Sequence, residues 1–226
     1  CSPVTSNLCH SFLPYEDVKL SNHALDITTE MMELLAGGDS FPINPFNDFI
    51  PILDEANERQ ILDPVKCLSV LKLLRIARNV HSYIEKQIDF PLLKSVSNRF
   101  DTLPSLFKEM DRCINDEGEI KENASSELKQ ALRDVVSAKQ KLESKIGKLL
   151  SGDTYQEALQ DSYHTEREGR LVIPVKSDKR SLVDGIVHDS SGSGQTLYVE
   201  PSSIVPLNNQ LKINKLAVGR EKTKIL

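Results

Sequence analysis

The spacing of hydrophobic positions along this chain changes from helical to strand-like and back to helical. Before residue 164 apolar residues recur mainly every three or four positions, which is typical of amphipathic helices. Between Gly169 and Pro201 they form three short β-rich runs, and afterwards the helical spacing returns. The pattern predicts a mainly α protein with a small β insert, whose strands cover Leu171–Val175, Gly185–His188 and Gln195–Glu200.

The connections between these runs predict how the strands pair. The polar spacers Lys176–Asp184 and Asp189–Gly194 are shorter than the crossover of a dozen or more residues that parallel strands require. An antiparallel meander, in which consecutive strands are neighbours, is therefore expected. Pro174 has no N–H for a ladder hydrogen bond, so the first run is expected at an edge of the sheet.

The longest predicted helix, Ser125–Leu150, begins at a Ser125 or Ser126 cap and precedes the β insert. Its large apolar residues step by 4, 3, 7, 4 and 3, which is a heptad seam with Lys139 at the one skipped core position. A seam this narrow requires a partner helix. The seam residues are Leu128, Leu132, Val135, Leu142, Ile146 and Leu149.

The segment after the β insert supplies that partner. Pro206–Leu226 carries apolar residues at heptad steps, with Asn214 at the skipped place; they are Leu207, Leu211, Val218 and Ile225. The insert separates the two helices, so we expect them to pair antiparallel. Leu132 should then contact the distal part of the return helix, and Leu149 its start.

The N-terminal region is predicted to be helical with a loop-rich start. A stripe of Ala24, Leu25, Met31, Met32 and Leu35 ends at Gly37-Gly38. Asp63 and Pro64 begin a second helix, which has a long apolar face. We interpret the other side of that helix, with Arg75, Arg78 and His81, as a solvated face. The domain boundaries predicted from these patterns are 1–22 for the loop-rich segment, 23–163 for the helical core and outgoing helix, 164–203 for the β tip and 204–226 for the return helix.

Composition indicates a soluble, cytoplasmic protein. Hydrophobic residues make up 39% and charged residues 27% of the chain. No apolar run reaches the roughly 18–20 residues that a membrane span needs. No CxxC spacing occurs, so we expect reduced thiols at Cys1, Cys9, Cys67 and Cys113.

Charge is distributed unevenly along the chain. After residue 165 the chain has ten Lys/Arg and seven Asp/Glu, a net charge of +3. The preceding part has 18 Lys/Arg and 26 Asp/Glu, a net charge of −8, and the two parts sum to −5. Contact between the basic part and a polyanion is compatible with this asymmetry. The best basic cluster is Lys176, Lys179 and Arg180, between the first two strands. We identify it as a candidate nucleic-acid phosphate contact, with an exposed, solvated loop as the alternative.

No catalytic constellation or metal site emerges from the spacing. The Gly/Ser-rich run Ser190–Gly194 lacks the Lys of a phosphate-binding loop and precedes a strand, which favours a hairpin loop. The acidic turn Asn115–Glu119 lacks the ligand spacing of a calcium loop. We interpret His188 as a structural residue that hydrogen-bonds across the sheet.

Four blocks, in order and at close to a known spacing, carry a family resemblance: RLVIPVK at 170–176, GIVHD at 185–189, SGQTLYVEP at 193–201 and LNNQL at 207–211. They resemble the MutS family of the second type, and the similarity extends more weakly through the preceding helices. One departure is the loop Asp189–Gly194, which usually reads closer to Asp-Gln-Ser-Ala-Ser-Gly and keeps its small polar character here.

The resemblance implies a helical core and lever with a clamp-like tip. It implies a MutS-like ATPase linked to recombination suppression and ribosome rescue, often with a nuclease domain. DNA (mismatched or branched) or ribosomal RNA is the implied partner. In the family the ATP-binding motifs lie beyond Leu226, so ATP, magnesium and a homodimer contact are assigned to the parent protein.

We expect the chain to be a fragment, because it starts at Cys1 and ends within a helical pattern. We expect no cofactor and neither ATPase nor nuclease activity from it alone. The alternative is an independent coiled-coil adaptor that binds a protein partner.

Overall fold

The computed structural model describes residues 3–13, 15–38 and 40–226. They form two compact units, residues 3–124 with the gaps just given and Ser125–Ile225, each described here by itself. Cys9, Cys67 and Cys113 are free thiols, whereas Cys1 lies outside the described residues. Among the described residues no helix is long and apolar enough to cross a membrane.

The first unit is helical. Its helices are α1 Pro3–His10, α2 Val18–Ala36, α3 Ile50–Asn57, α4 Pro64–Lys86, α5 Pro91–Ser97 and α6 Pro104–Cys113. The predicted start of α4 is confirmed, because the Asp63 carboxylate accepts a 2.9 Å hydrogen bond from the Lys66 N–H and Pro64 occupies the first turn. The apolar face of α4 is also confirmed, with Leu68, Leu71, Leu74, Val80 and Ile84 buried.

Most of the apolar stripe predicted for α2 does not lie on the face that this helix buries. Leu25, Met32 and Leu35 lie on its exposed face, at 63%, 67% and 50% exposure. The face that packs on α4 and α5 instead carries Leu34, with Ile27 and Met31 beside it. Both faces of α2 are apolar, so periodicity alone did not identify the buried one.

The basic side of α4 is not a solvated face. Arg75 makes ion pairs with Asp111 at 2.7 Å and Asp116 at 2.6 Å. The Arg78 guanidinium lies 4.4 Å from the centre of the Phe107 ring, and His81 hydrogen-bonds Ser97 at 2.8 Å. These residues connect α4 to α5, α6 and the following turn, so they serve the fold of the first unit.

The second unit contains two paired helices, α7 Ser126–Ser151 and α8 Val205–Ile225. The Ser125 hydroxyl caps α7 by accepting a 3.0 Å hydrogen bond from the Leu128 N–H. Their antiparallel pairing is confirmed at the middle, where the Asn214 amide donates to the Asp134 carbonyl at 2.9 Å. It is confirmed at one end, where Leu149 and Leu207 pack on the same core. Leu132 is half-buried, and its contact with distal α8 stays a prediction.

The seam of α7 differs from the predicted heptad at one place. Lys139 is 62% exposed and pairs with Glu143 at 3.8 Å, so it is not a core residue. Ala138, one position earlier, is buried instead, and so is Ala131. The two alanines let α8 approach closely, and with the half-buried Val135 the inward-facing line keeps steps of three or four residues.

The sheet has four antiparallel strands: β1 Thr165–Arg167, β2 Arg170–Lys176, β3 Gly185–Ser190 and β4 Thr196–Pro201. The three predicted strands are confirmed, and β1 was not predicted. Their order is β1-β2-β4-β3, so the predicted meander is wrong. β4 inserts between β2 and β3, and a 3-10 helix at Ser177–Leu182 makes the connection around it.

Pro174 does not mark an edge strand, because β2 lies between β1 and β4. The ladder to β4 is formed by residues such as Ile173 and Val175. The Pro174 carbonyl points the other way and accepts a 3.0 Å hydrogen bond from the Gln160 N–H. β1 has already ended at that point, so the missing proline N–H breaks no strand pairing.

One apolar core joins the sheet to both helices. It contains residues from α7, β2, β4 and α8, together with Ala158, Leu159 and Val183. Leu142, Ile146, Ile173, Val175, Val199 and Ile204 are fully enclosed in it. The sheet is therefore packed directly on the helix pair.

Candidate functional site

A buried carboxylate lies where the sheet meets α8. Glu200 has no exposed surface, and four hydrogen bonds reach its two oxygens. Arg170 donates two of them, at 2.6 and 2.7 Å, in a bidentate ion pair. His188 Nε2 lies 2.7 Å from one oxygen, and the Asn208 amide donates to the other at 2.8 Å. We call these four residues the Glu200 cluster.

The Asn208 side chain extends the hydrogen-bond ladder of the sheet. Its amide accepts from the Leu171 N–H at 3.0 Å and donates to the Leu171 carbonyl at 3.1 Å. The pairing of Ile173 with Val199 would place Leu171 opposite Pro201, which has no N–H to offer. A side chain of α8 therefore takes the place of a strand residue and fixes the start of that helix to β2.

The charge on Glu200 is maintained against its burial. Burial by itself would raise the pKa of Glu200, but hydrogen bonds from Arg170, Asn208 and His188 outweigh it and hold the pKa below its usual value. The hydrogen bond to Glu200 in turn raises the pKa of Arg170. The cluster is thus a fully paired ionic site, and bidentate charged hydrogen bonds are among the strongest that proteins make.

Gly185 is required by the close approach of β3 to β4 beside this cluster. A Cβ atom at Gly185 would lie 2.2 Å from the Glu200 carbonyl oxygen and 2.9 Å from the Pro201 Cα. Both are backbone atoms of β4, an inner strand of the sheet, so they cannot move aside as a flexible side chain would. The glycine lets β3 reach the register that places His188 on Glu200.

We expect Gly185→Ala to lower the free energy of unfolding by about 1–3 kcal/mol, through strand displacement and overpacking. Gly192→Ala is the matched control, because its Cβ would meet nothing within 4 Å and its backbone is not left-handed. Urea denaturation followed by circular dichroism measures both. Equal stabilities of the two variants would contradict the close approach.

The predicted basic cluster occupies the 3-10 helix and the residue before it, and each of its side chains has a partner. Lys176 Nζ lies 3.3 Å from the Glu157 carbonyl oxygen. Lys179 makes a 2.5 Å ion pair with the Glu157 carboxylate, and that hydrogen bond raises the pKa of Lys179. Both lysines are half-buried, and they share one neighbouring segment.

Arg180 differs from the two lysines. Its guanidinium donates to the Val183 carbonyl and, at 2.5 Å, to the Gly185 carbonyl. It thereby closes the connection between the 3-10 helix and β3. The structure thus brings Lys176 and Lys179 to one acidic partner and turns Arg180 toward the backbone.

Similarity to known proteins covers almost the whole chain. The chain is 33% identical to "Endonuclease MutS2" of Clostridioides difficile (strain 630) over 220 residues. The aligned region covers 96% of this chain and 28% of that protein. The chain is 35% identical to the protein of the same name from Thermomicrobium roseum, over 99% of this chain and 28% of that protein. No protein-family model matches. The chain is MutS2-like.

This MutS2-like chain spans about 28% of the length of the curated relatives it matches. The Glu200 cluster falls within the four sequence blocks that carry the resemblance: Arg170 opens the first, His188 lies in the second, Glu200 in the third and Asn208 in the fourth. The expected hydrogen bond of His188 across the sheet is confirmed.

Sequence reasoning missed the rest of the cluster. The sequence did contain a signal for it. Glu200 directly follows the apolar strand run Leu-Tyr-Val, and a charged residue that is buried in such a strand needs a partner of opposite charge or hydrogen-bond donors. The Gly/Ser-rich run, in contrast, was interpreted correctly as a hairpin loop. The Ser191 carbonyl accepts from the Gly194 N–H at 2.8 Å, and the Ser191 hydroxyl accepts from the Thr196 N–H at 3.0 Å.

Proposed function

We propose that this chain is the lever-bearing section of a MutS2-like protein and couples nucleic-acid engagement at its sheet to the rest of that protein. The relatives' name, "Endonuclease MutS2", supports a nucleic-acid partner. DNA, mismatched or branched, and ribosomal RNA are the two candidates. We assign ATP and magnesium, nuclease activity and a homodimer contact to parts of the parent protein outside these 226 residues.

The Glu200 cluster is the observation that carries this proposal. It ties β2, β3 and β4 to the first turns of α8, while the shared apolar core ties the sheet to α7. A force on the sheet is therefore transmitted to both helices without bending a flexible joint. Such a rigid connection suits a clamp-like tip on a helical lever.

We place a phosphate contact at Lys176 and Lys179. Ion pairs with good solvent access contribute little to stability, so a nucleic-acid phosphate can replace Glu157 as the partner of Lys179 at small cost. Arg180 is left out of this contact because its guanidinium already binds two backbone carbonyls.

The test is the double variant Lys176→Ala/Lys179→Ala. We expect it to weaken binding to a DNA duplex or an RNA hairpin by about ten-fold at about 50 mM salt, equally across sequences. The salt dependence should also flatten by about one phosphate for each lost contact. Lys222→Ala/Lys224→Ala, at the far end of α8, changes the charge equally and should bind as the wild type does.

If the wild-type chain binds neither DNA nor RNA at low salt, the proposed function is wrong for this chain. Capture of a defined protein partner in the same conditions would then support the alternative, an independent coiled-coil adaptor.

A further inference from the structure

A groove runs along one side of the helix pair between α7 and α8. Most of the residues of α7 that line it are spaced three or four positions apart, and so they follow one face of the helix. They include Glu127, Gln130, Asp134, Ser137, Gln140, Lys141, Ser144, Lys145 and Lys148. The α8 side contributes Leu207, Gln210, Asn214, Ala217 and Glu221.

Charge changes sign along this groove. Its distal end carries acidic side chains at Glu127, Asp134 and Glu221. Its sheet-proximal end carries Lys141, Lys145 and Lys148, and the lining residues there include no acid. We call these three residues the lysine line.

The three lysines are exposed, and within the described part of the chain none has a carboxylate oxygen within 4.0 Å of its ammonium nitrogen. Some other lysines of this unit are paired, such as Lys139 with Glu143 at 3.8 Å and Lys179 with Glu157 at 2.5 Å. Lys129 and Lys212 also have no ion-pair partner among the described residues, but they do not line the groove. The lysine line therefore holds three uncompensated positive charges on one face.

We propose that the lysine line is a second nucleic-acid contact, which takes the phosphate backbone alongside α7. This inference rests on the proposed function and adds a site to it. From Lys141 to Lys148 the helix rises about 10 Å at 1.5 Å per residue. A stretch of this length along the axis of B-form DNA contains about three phosphates of each strand, since each strand carries one phosphate per 3.4 Å of axis.

The surrounding residues fit a phosphate backbone better than an acidic protein surface. Ser144 and Gln140 stand beside the lysines and are neutral donors of the kind that bind phosphate oxygens. An apolar anchor for a protein partner is limited there to Leu207. The acidic distal end repels the backbone, so the contact is confined to the half of the groove next to the sheet.

The test compares two triple variants of the 226-residue chain by fluorescence anisotropy with a labelled DNA duplex of about 30 base pairs and an RNA hairpin. Lys141→Gln/Lys145→Gln/Lys148→Gln removes the lysine line and keeps helix-forming residues. We expect at least about a ten-fold loss of affinity at about 50 mM salt and a decrease of about 2–3 in the slope of log affinity against log salt.

Lys129→Gln/Lys139→Gln/Lys212→Gln is the matched control. It removes the same charge from exposed positions that do not line the groove, so its affinity should stay within about two-fold of the wild type if the contact is local. Asp134→Asn tests the opposite direction. It weakens the acidic barrier and should tighten binding a few-fold.

Equal losses in the two triple variants would overturn the inference, since net charge alone would then explain binding. An unchanged lysine-line variant, together with weakened Lys176→Ala/Lys179→Ala, would overturn it while leaving the proposed function intact. No binding by the wild type would overturn both. Preferential binding of an acidic polypeptide such as polyglutamate over the duplex and hairpin would replace nucleic acid by an acidic protein at this site.

Discussion

Glu200→Ala is expected to lower the free energy of unfolding of the unit that contains the sheet by about 3–5 kcal/mol. The substitution removes the acceptor of four hydrogen bonds and leaves the largely buried Arg170 guanidinium without its counter-charge. His188 and Asn208 lose a partner at the same time. Breaking one side of a buried, hydrogen-bonded pair is costly because the other side cannot recover its hydration.

Glu157→Ala provides the matched control, since it removes an exposed carboxylate from another ion pair of the same unit. Its urea midpoint should stay close to that of the wild type. A double-mutant cycle with Arg170→Ala and Glu200→Ala isolates the interaction energy of the pair. An additive cycle would show that the pair contributes no coupling between β2 and β4.

The free energy of unfolding, measured as a function of pH, tests how much the charged form of Glu200 contributes to stability. Its pKa in the folded state lies below the usual value, so the folded state binds fewer protons than the unfolded state where the carboxyl titrates. This contribution is therefore complete above the unfolded-state pKa of about 4.3 and is lost as pH falls through the lower folded-state value. Glu200→Gln should approach the wild type in stability in that acidic range.

The helix pair was predictable because its signal is local and repeated. Leu142 and Ile146 on α7 are four positions apart, as are Leu207 and Leu211 on α8, and both pairs belong to heptad seams. A heptad seam requires a partner whatever the rest of the fold. The error at Lys139 arose because large apolar residues were counted and alanines were not. Ala138 supplies little hydrophobic area, yet it occupies the buried position because close helix packing needs a small residue there.

The strand order and the Glu200 cluster were not predictable in the same way. The choice of β4 over β3 as the neighbour of β2 depends on side chains that are far apart in sequence, such as Arg170 and Glu200, 30 positions apart. The Asn208 side chain hydrogen-bonds the backbone of Leu171, which is 37 positions away in the sequence. Strand periodicity reports which residues face the core, but it does not report which strand pairs with which.

Leu142→Ala is expected to lower the free energy of unfolding by about 2–5 kcal/mol. Leu142 is completely buried, and it belongs to the core in which α7, the sheet and α8 meet. Truncation leaves a cavity that the two helices cannot close, because Ala138 and Ile146 already fix their spacing on either side. The sheet and helix pair share this core, so the fluorescence of Tyr198 in β4 and circular dichroism from the helices should shift together. The other four tyrosines are replaced by Phe in both backgrounds, so that the fluorescence reports the sheet alone.

Val136→Ala is the control for Leu142→Ala on the same helix. Val136 is 55% exposed, and exposed substitutions usually change stability by no more than about 0.5 kcal/mol. A sheet signal that keeps its wild-type midpoint in Leu142→Ala, while the helical signal shifts, would show that the sheet is stable without the helix pair. The proposal that a force on the sheet is transmitted rigidly to α7 would then be wrong. Only the hydrogen bonds of the Glu200 cluster would connect the sheet to the helix pair, through α8.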